Sequence, residues 1–352
     1  MSARRSPVYV VGVDGGTSKT IALVADGAGR ILGAGRSGNS NWSGPDVEKP
    51  MSVVVAAVRE ALQQAGVTGD RIAMAALCLA GADWPEDHTR REDYLRTTGI
   101  ARDLVVKNDA FAGLRAGTRR PYGVVIAAGT GTNTAAIAPD GREWAFGYYA
   151  TYGGGSDVGR EAIEAMLRQD DGRGPETAIT APALEKLGYS SVEAMLRALV
   201  AHEVDRGRIN SLCPLVFEAA YAGDAVAADI IEKQGRALAE YAVAIIRRFG
   251  MQDLEFDLVL SGGVFKGRGP LLVDTVAQVV HRVAPRARLV VLTVEPAVGA
   301  VLLAYDALGI SVTEAMYAHL AQTCPGPELF DTSGAWPTLD DAARSGTLKQ
   351  RR

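Results

Sequence analysis

GVDGGTSKT (residues 12–20) and AGTGTNT (residues 128–134) are two stretches that combine glycine with small hydroxyl side chains, and apolar runs flank both of them. Glycine lets a backbone approach an anion closely and point its N–H groups at it, while threonine, serine and lysine side chains add donors. Apolar runs on either side are typical of buried β-strands. Each stretch therefore predicts a turn between two strands that holds phosphate groups.

The two stretches also match each other at a constant offset. The match pairs Gly15 with Gly129, Thr20 with Thr134, Asp26-Gly27 with Asp140-Gly141, and Gly33 with Gly147. An Asp-Gly pair after an apolar run is typical of a tight turn between strands. We therefore expect two copies of one unit, each built as strand, phosphate turn, strand, tight turn and strand. Two unrelated glycine-rich hairpins are the alternative.

The composition is that of an ordinary globular protein. The chain has 352 residues, enough for about two domains, and a formal net charge of −4. Nucleic-acid and membrane-surface partners both need clustered basic charge, so this balance argues against them. No apolar run reaches the ~18 residues of a membrane helix, and Cys78, Cys213 and Cys324 are too scattered for a disulfide scaffold or a metal knuckle. We expect a cytoplasmic protein, and a homodimer is among the assemblies that the sequence allows.

Hydrophobic periodicity outlines two α/β domains. It predicts a helix over 51–65, strands over 72–80 and 104–107, a mostly helical insertion over 158–249, strands over 256–260 and 289–294, and helices from 296 and over 311–321. Glycine, proline and charge interrupt the pattern at 117–121, which predicts a hinge. The expected domains are 1–117 and 118–310, with the helix over 311–323 packing back on the first domain and 324–352 as a loosely attached tail.

Asp14 is the candidate metal ligand. It stands at the end of an expected strand, where a carboxylate can hold a hydrated Mg²⁺ that faces the terminal phosphates of a nucleotide. Aspartate before two glycines is also a common turn former, and the residues alone do not separate the two roles. The expected nucleotide contacts beside it are Gly15, Gly16, Thr17, Ser18, Lys19 and Thr20.

Asp109 is the candidate general base. The strand over 104–107 delivers it at a carboxyl end, where ligands of α/β sheets bind. Phosphoryl transfer to an alcohol needs a carboxylate that accepts the hydroxyl proton. Aspartate is also among the best helix N-caps, and the spacing fits both roles. The position of Asp109 between the two phosphate turns favours catalysis.

The second half of the chain supplies further candidates. We expect nucleotide phosphates to contact Gly129, Thr130 and Gly131, a polar acceptor to lie near Asn133 and Asp157, and the base and ribose to lie against Gly262, Gly263 and Gly299. Asp157 follows three glycines and precedes a helix, so a capping role alone also fits. A tight strand-to-helix turn alone would also explain Gly262 and Gly263.

These motifs, in this order, resemble a known family. They are Asp14-Gly15-Gly16-Thr17, the segment around Asn41, Asn108-Asp109-Ala110, Gly129–Asn133, Asp157 and Ser261-Gly262-Gly263, and they span nearly the whole chain. The set is similar to that of the BadF/BadG/BcrA/BcrD-type ATPases of the actin-like superfamily, and within it to the N-acetylglucosamine and glucosamine kinases. The resemblance implies an α/β fold of two actin-like (ribonuclease H-like) domains that close on ATP and a sugar, with a nucleotide cleft between them.

The resemblance also implies roles for individual residues. A kinase of this kind transfers the γ-phosphate of ATP to the 6-hydroxyl of an amino sugar. Asp109 would be the base, Asp14 the metal-facing carboxylate, and Thr17 and Thr130 phosphate contacts. The implied sugar contacts are Asn41, Thr132, Asn133 and Asp157, with Trp42 as a wall for the sugar, and Asn39 matches the early contact as well as Asn41 does.

One loop departs from the sugar kinases. They usually carry Gly-Asp-Glu-Gly-Ser where this chain has Ser156–Arg160, so Asp157 and Gly159 are kept but the glutamate is replaced by Val158. That loop contacts the sugar in the family. Asp157 can pair with the ammonium of glucosamine, so glucosamine is the expected substrate and N-acetylglucosamine the alternative.

A second alternative is an ATPase that activates a partner enzyme, as some members of the superfamily do. Those activators share an iron–sulfur cluster that cysteines hold between subunits. The three scattered cysteines of this chain give no obvious pair near the glycine turns. The sequence therefore favours the sugar kinase.

Overall fold

The structure is a computed structural model that describes residues 7–42, 44 and 46–331. The chain divides into two compact units. The first unit contains the chain up to Arg119 together with the chain from Thr293 onward, and the second contains Arg120–Leu292. Each unit is built on a five-stranded mixed sheet with helices packed against it, which confirms the predicted α/β architecture.

The sheet of the first unit has the strand order β3-β2-β1-β4-β5. Its strands are β1 (Tyr9–Gly15), β2 (Thr20–Asp26), β3 (Ile31–Ser37), β4 (Ile72–Leu79) and β5 (Leu104–Asn108). β2 pairs antiparallel with both β1 and β3, whereas β1, β4 and β5 run parallel. The carboxyl ends of these three parallel strands therefore lie along one edge of the sheet, where ligands of α/β folds bind.

Helices cover both faces of this sheet. They are α1 (Glu48–Ala65), α2 (Pro85–Arg96), α3 (Ala110–Gly117), α11 (Pro296–Ala307), α12 (Glu314–Thr323) and α13 (Pro327–Phe330). Side chains alternate along a strand: Val11 and Val13 of β1 join one apolar core with α1, while the backbone at Gly12, between them, lies against Val301 of α11. The central strand is therefore buried on both faces.

The sheet of the second unit has the order β10-β9-β6-β7-β8. Its strands are β6 (Gly123–Ala128), β7 (Thr132–Ile137), β8 (Glu143–Ala145), β9 (Asp257–Ser261) and β10 (Arg288–Val291). β7 pairs antiparallel with β6 and β8, and β6, β9 and β10 run parallel. Read from β8, this order repeats that of the first sheet read from β3. The duplicated unit predicted from the sequence is confirmed.

The constant sequence offset that we predicted between the two copies is wrong, because the two phosphate turns differ in length. Gly15 pairs with Thr20 across a turn of four residues, 16–19, whereas Ala128 pairs with Thr132 across a turn of three, 129–131. At the next turn, Gly141 occupies the position of Gly29, and both have φ 84°. Gly141 therefore corresponds to Gly29 and not to Gly27, because the shorter phosphate turn shifts the second strand along the sequence.

A large helical region separates β8 from β9. It contains α4 (Gly155–Asp170), α5 (Thr180–Leu187), α6 (Val192–Val200), α7 (Arg206–Asn210), α8 (Cys213–Tyr221) and α9 (Ala225–Arg248), and α10 (Leu271–His281) follows β9. Apolar side chains of α4, α8 and α9 form one buried core with β6 and β9. The long α9 contributes Ile231, Leu238 and Ile246, all fully buried.

The domain boundaries differ from those expected. Residues 293–310 belong to the first unit, because α11 packs against β1 and α3 there, whereas the sequence analysis placed them in the second domain. The predicted tail divides in two: residues 324–331 are described and Phe330 is buried, so this part is docked and not loose, whereas 332–352 lie outside the described residues. Among the helices that the structure describes, none is both long and apolar enough to cross a membrane.

Candidate active site

Three carboxylates lie at the carboxyl ends of the parallel strands in the first unit. Asp14 is the last residue but one of β1 and pairs with Cys78 of β4. Asp83 follows the end of β4, and Asp109 follows the end of β5. Because the three strands are neighbours and parallel, the fold gathers three acidic side chains from distant parts of the sequence.

Asp109 is at the N-cap of α3, but its side chain makes no capping hydrogen bond with the helix. The pKa of Asp109 is raised to about 7, mainly by burial and then by the negative charges of Asp14 and Asp83. The side chain is nevertheless only partly covered. A carboxyl group that titrates near neutrality and stays accessible is suited to accept a proton from a bound hydroxyl.

Asp14 is also perturbed. The pKa of Asp14 is raised to about 6: burial is the main cause, the positive charge of Lys19 partly opposes it, and the negative charge of Glu295 contributes to it. Glu295 stands at the N-cap of α11. Two neighbouring carboxyl groups that both have a raised pKa are typical of catalytic centres.

Asp83 is a residue that the sequence reasoning missed. Its Oδ1 accepts a hydrogen bond of 2.6 Å from Asn108 Nδ2, and Asn108 Oδ1 accepts one of 3.0 Å from the backbone N–H of Ala110. Asp83 is thereby linked to both residues that flank Asp109. The sequence signal was available, since Gly81-Ala82-Asp83 ends a buried strand just as Asn108-Asp109 does.

The first phosphate turn is closed by a hydrogen bond of 2.9 Å from Gly16 N–H to the Lys19 carbonyl. Thr17 and Ser18 at its tip are exposed, and Lys19 is half-buried. Thr20 is different. Its hydroxyl is fully buried and lies 2.8 Å from both the Gly38 carbonyl and Ser40 Oγ, so it stabilises the hairpin.

The Asn41 segment lies beside this turn. Asn41 Nδ2 donates a hydrogen bond of 2.9 Å to Thr17 Oγ1. Asn39 Oδ1 accepts one of 2.8 Å from the backbone N–H of Asn41, so Asn39 shapes the loop from within. Trp42 keeps an exposed ring, and its carbonyl accepts a hydrogen bond of 2.5 Å from Arg91 of α2. Of the two asparagines, Asn41 is the one whose side chain contacts the phosphate turn.

In the second unit, the Gly129–Gly131 turn meets the N-terminus of α4. The backbone N–H groups of Gly155 and Ser156 donate to the carbonyls of Gly129 and Thr130, at 2.8 and 3.2 Å. Gly129 is exposed and Thr130 is half-buried, so both can be reached by a ligand.

Two predicted sugar contacts of this unit form hydrogen bonds within the protein. Thr132 Oγ1 donates to the Ala127 carbonyl at 3.0 Å. Asn133 is buried, and its Oδ1 accepts from the backbone N–H groups of Thr134 and Gly147, at 2.8 and 2.9 Å. The side chains of Thr132 and Asn133 thus stabilise the strand that follows the turn.

Asp157 caps its own helix. Its Oδ2 accepts from the backbone N–H groups of Gly153 and Gly154, at 3.0 and 2.9 Å, and its Oδ1 accepts from Arg160 Nη2 at 2.8 Å. The carboxylate is 7% exposed. The capping role considered from the sequence is therefore present, and the negative charge is already paired with a guanidinium.

The third glycine turn lies beside the second. Ser261 at the end of β9 pairs with Ala127 of β6. Gly262 has φ 102°, and a Cβ at this position would overlap the carbonyl oxygen of Ala128. Only glycine fits both conditions. Gly263 is different, because a Cβ there would meet no atom within 4 Å, so its backbone faces open space.

Gly299 has a structural role of its own. It belongs to α11 of the first unit, and a Cβ there would overlap the carbonyl oxygen of Ala112 in α3. The close contact of the two helices therefore explains the glycine.

The acidic site can be tested as a place for Mg²⁺. Among the residues that the structure describes, no three His, Cys, Asp or Glu side chains are grouped so that they could hold a metal by themselves. Mg²⁺ usually keeps several waters and binds through one or two carboxylates together with substrate phosphates. Asp14, beside the first phosphate turn, fits that kind of site.

Comparisons with known proteins agree with this architecture. An N-acetylmuramic acid/N-acetylglucosamine kinase of Clostridium acetobutylicum is 28% identical over 300 residues, which cover 84% of this chain and 98% of the relative. Glucosamine kinase GspK of Vibrio cholerae is 23% identical over 243 residues, covering 67% of this chain and 80% of the relative. The solved structure of a proposed N-acetylglucosamine kinase from Chromobacterium violaceum has a TM-score of 0.65 at 25% identity, and the match covers 84% of this chain and 98% of that one.

The fold is therefore the actin-like fold of two-domain sugar kinases. Residues 11–304 match the BadF/BadG/BcrA/BcrD ATPase family from β1 to α11, and this range contains the three carboxylates and all three glycine turns. The chain belongs to the BadF/BadG/BcrA/BcrD ATPase family.

Proposed function

We propose that this protein is an ATP-dependent kinase that transfers the γ-phosphate of ATP to the 6-hydroxyl of an amino sugar. Its relatives are sugar kinases that it matches over most of their length, so the protein is a phosphotransferase with an alcohol acceptor that acts on a small sugar. The observation that carries the residue assignment is Asp109, a partly accessible carboxyl group without a capping role whose pKa is raised to about 7.

Asp109 accepts the proton of the attacking hydroxyl. The carboxylate must be ionised to do so. A general base works best when its pKa lies near the pH of the reaction, and the pKa of about 7 meets this condition at neutral pH. Asp83 and Asn108 hold the segment on which Asp109 stands. This support fixes the position from which the carboxylate faces the hydroxyl.

Phosphate recognition falls to residues of the glycine turns that keep accessible groups. In the first unit these are Gly16, Thr17, Ser18 and Lys19; in the second they are Gly129, Thr130, Gly131 and Gly263. When Mg²⁺ is bound, it neutralises phosphate charge, and Asp14 would hold it. Four predicted contacts are left out of this set: Gly15 is buried, and structural roles account for Thr20, Gly262 and Gly299.

The preferred sugar is the finer part of the proposal. Glucosamine was favoured because its ammonium could pair with Asp157. That carboxylate already accepts from two backbone N–H groups and from Arg160, and an ammonium placed there would face the like charge of the guanidinium. We therefore favour N-acetylglucosamine, with Asn41 and Trp42 as the sugar contacts of the first unit and Asp157 as the residue that shapes the loop.

A coupled assay of ADP release with glucose, glucosamine, N-acetylglucosamine and N-acetylmuramic acid tests the proposal. We expect the highest kcat/KM with N-acetylglucosamine and phosphate at its 6-position by NMR. Asp109→Asn should lower kcat by about 10²–10⁴-fold, while Asp93→Asn, on the exposed side of α2, should leave it unchanged. Absence of turnover with every sugar, or full activity of Asp109→Asn, would contradict the assignment.

A further inference from the structure

The C-terminal segment of the first unit lies against the first phosphate turn. Lys19 Nζ donates a hydrogen bond to the backbone carbonyl of Phe330 and lies 5.8 Å from the centre of the Phe330 ring. The Phe330 side chain is only 7% exposed. A residue 311 positions away in sequence therefore holds the one lysine of the turn.

A second cation fixes the same segment. Arg36 of β3 donates from Nη1 to the carbonyls of Leu329 and Glu328, at 2.8 and 3.3 Å. Helix α12, which precedes this segment, contacts β3 as well: Thr323 Oγ1 accepts a hydrogen bond of 2.9 Å from the backbone N–H of Ile31. Backbone carbonyl groups of residues 328–330 thus accept hydrogen bonds from two cationic side chains: Lys19 in the first phosphate turn and Arg36 in β3.

This docking lies outside the range of the family match. The family match ends at residue 304, whereas the contacts to Lys19 and Arg36 come from 328–330. The contact is thus made by a segment of this chain that the family match does not include.

We propose that residues 327–331, the Lys19 clamp, are a positioning element of the active site: the Phe330 carbonyl and ring hold the Lys19 ammonium in the place from which it contacts the nucleotide phosphates. This inference rests on the proposed function. The carbonyl and the ring that hold Lys19 are uncharged, and an ammonium has three N–H donors, so the bond to Phe330 does not use all of them. Lysine otherwise loses much side-chain freedom when it binds, and the clamp removes most of that freedom beforehand.

The nearby charges fit a positioning role. Lys19 precedes Thr20, which pairs with Gly15, so the lysine stands in the turn that follows the proposed metal-facing carboxylate Asp14. A lysine held beside both the turn and Asp14 needs no rearrangement to meet phosphate. The clamp acts through Lys19 and touches no reacting atom.

Four full-length variants and two shortened chains test the clamp. Phe330→Ala and a chain that ends at Gly326 remove it, whereas Phe330→Tyr and a chain that ends at Asp331 keep it. We expect the first two to raise the KM and Kd for ATP by about 3–10-fold, the effect of leaving one long side chain unordered, with kcat changed less than twofold. In a Lys19→Met background, Phe330→Ala should have no further effect on ATP affinity.

A readout independent of catalysis separates this inference from the proposed function. The rate at which Lys19 is acetylated by a small reagent, followed by mass spectrometry without ligands, should rise several-fold in Phe330→Ala and in the chain that ends at Gly326, but not in the two controls.

If no sugar is phosphorylated yet this pattern holds, the clamp stands and the kinase proposal fails. Equal acetylation rates in all chains, or an equal change in ATP affinity with and without Lys19, would overturn the clamp. Because Phe330→Ala keeps the whole chain, the test does not depend on the folding of the shorter one.

Discussion

Replacing Asp109 by asparagine should lower kcat by about 10²–10⁴-fold and stabilise the protein at the same time. The pKa of this carboxyl is raised from 3.8 to about 7, mainly by burial and then by Asp14 and Asp83. A difference of this size corresponds to about 4 kcal/mol of cost for ionising the folded protein, at about 1.4 kcal/mol for each pKa unit. Asp14 shares part of the repulsion, so we expect Asp109→Asn to raise the free energy of unfolding by about 2–4 kcal/mol at pH 8.

The pH dependence of this gain follows from the direction of the shift. Between pH 3.8 and about 7 the unfolded chain has lost the Asp109 proton while the folded chain keeps it, so the stability of the wild type falls as the pH rises through this window. Above about pH 7 both states are ionised and the full cost is present. Asparagine carries no charge at any pH. The stability gain should therefore be largest at pH 8 and less than half as large at pH 5.

Urea unfolding followed by circular dichroism at both pH values measures the effect. Asp93→Asn is the control, because Asp93 is an exposed residue in the same unit, and we expect it to change stability by no more than about 0.5 kcal/mol at either pH. A gain that is the same at pH 5 and pH 8 would show that packing and not charge is responsible. Destabilisation by Asp109→Asn at pH 8 would refute the electrostatic reasoning altogether.

Three further predictions concern the other carboxylates and the third glycine turn. Asp83→Asn keeps an acceptor for Asn108 but removes one of the charges that raise the pKa of Asp109, so the acid limb of kcat/KM should move to lower pH; an unmoved limb in a pH profile from 5.5 to 8.5 would contradict the linkage. Gly262→Ala should lower the free energy of unfolding by about 1–3 kcal/mol, because of φ 102° and the overlap with the Ala128 carbonyl, whereas Gly263→Ala should cost much less; urea titration of the pair decides, and equal losses would speak against the geometry. Arg160→Gln leaves the Asp157 carboxylate without its guanidinium, so the ratio of kcat/KM for glucosamine over N-acetylglucosamine should rise by about 2–5-fold, the modest effect of a partly exposed pair; a constant ratio would mean that Asp157 does not face the amino group.

Much of the fold could be predicted from local patterns. The apolar runs and the glycine turns of residues 12–20 and 128–134 predicted two hairpins of the same kind, and the two sheets repeat one strand order. The register between the copies could not be predicted, because a turn of three residues and a turn of four are equally compatible with the flanking strands. The position of α11 was also mispredicted, since its packing against β1 and α3 joins residues that are far apart in sequence.

The candidate site divides in the same way. By itself, the sequence determined which strand ends carry Asp14 and Asp109, because strand periodicity and the residue that follows each strand are local features. Only the tertiary structure decided which polar groups are already hydrogen-bonded within the protein: Thr20 with Ser40, and Asp157 with Arg160. It also brought Asp83 beside Asn108 and Phe330 against Lys19. A side chain's availability depends on the neighbours that packing brings to it, and those neighbours come from anywhere in the chain.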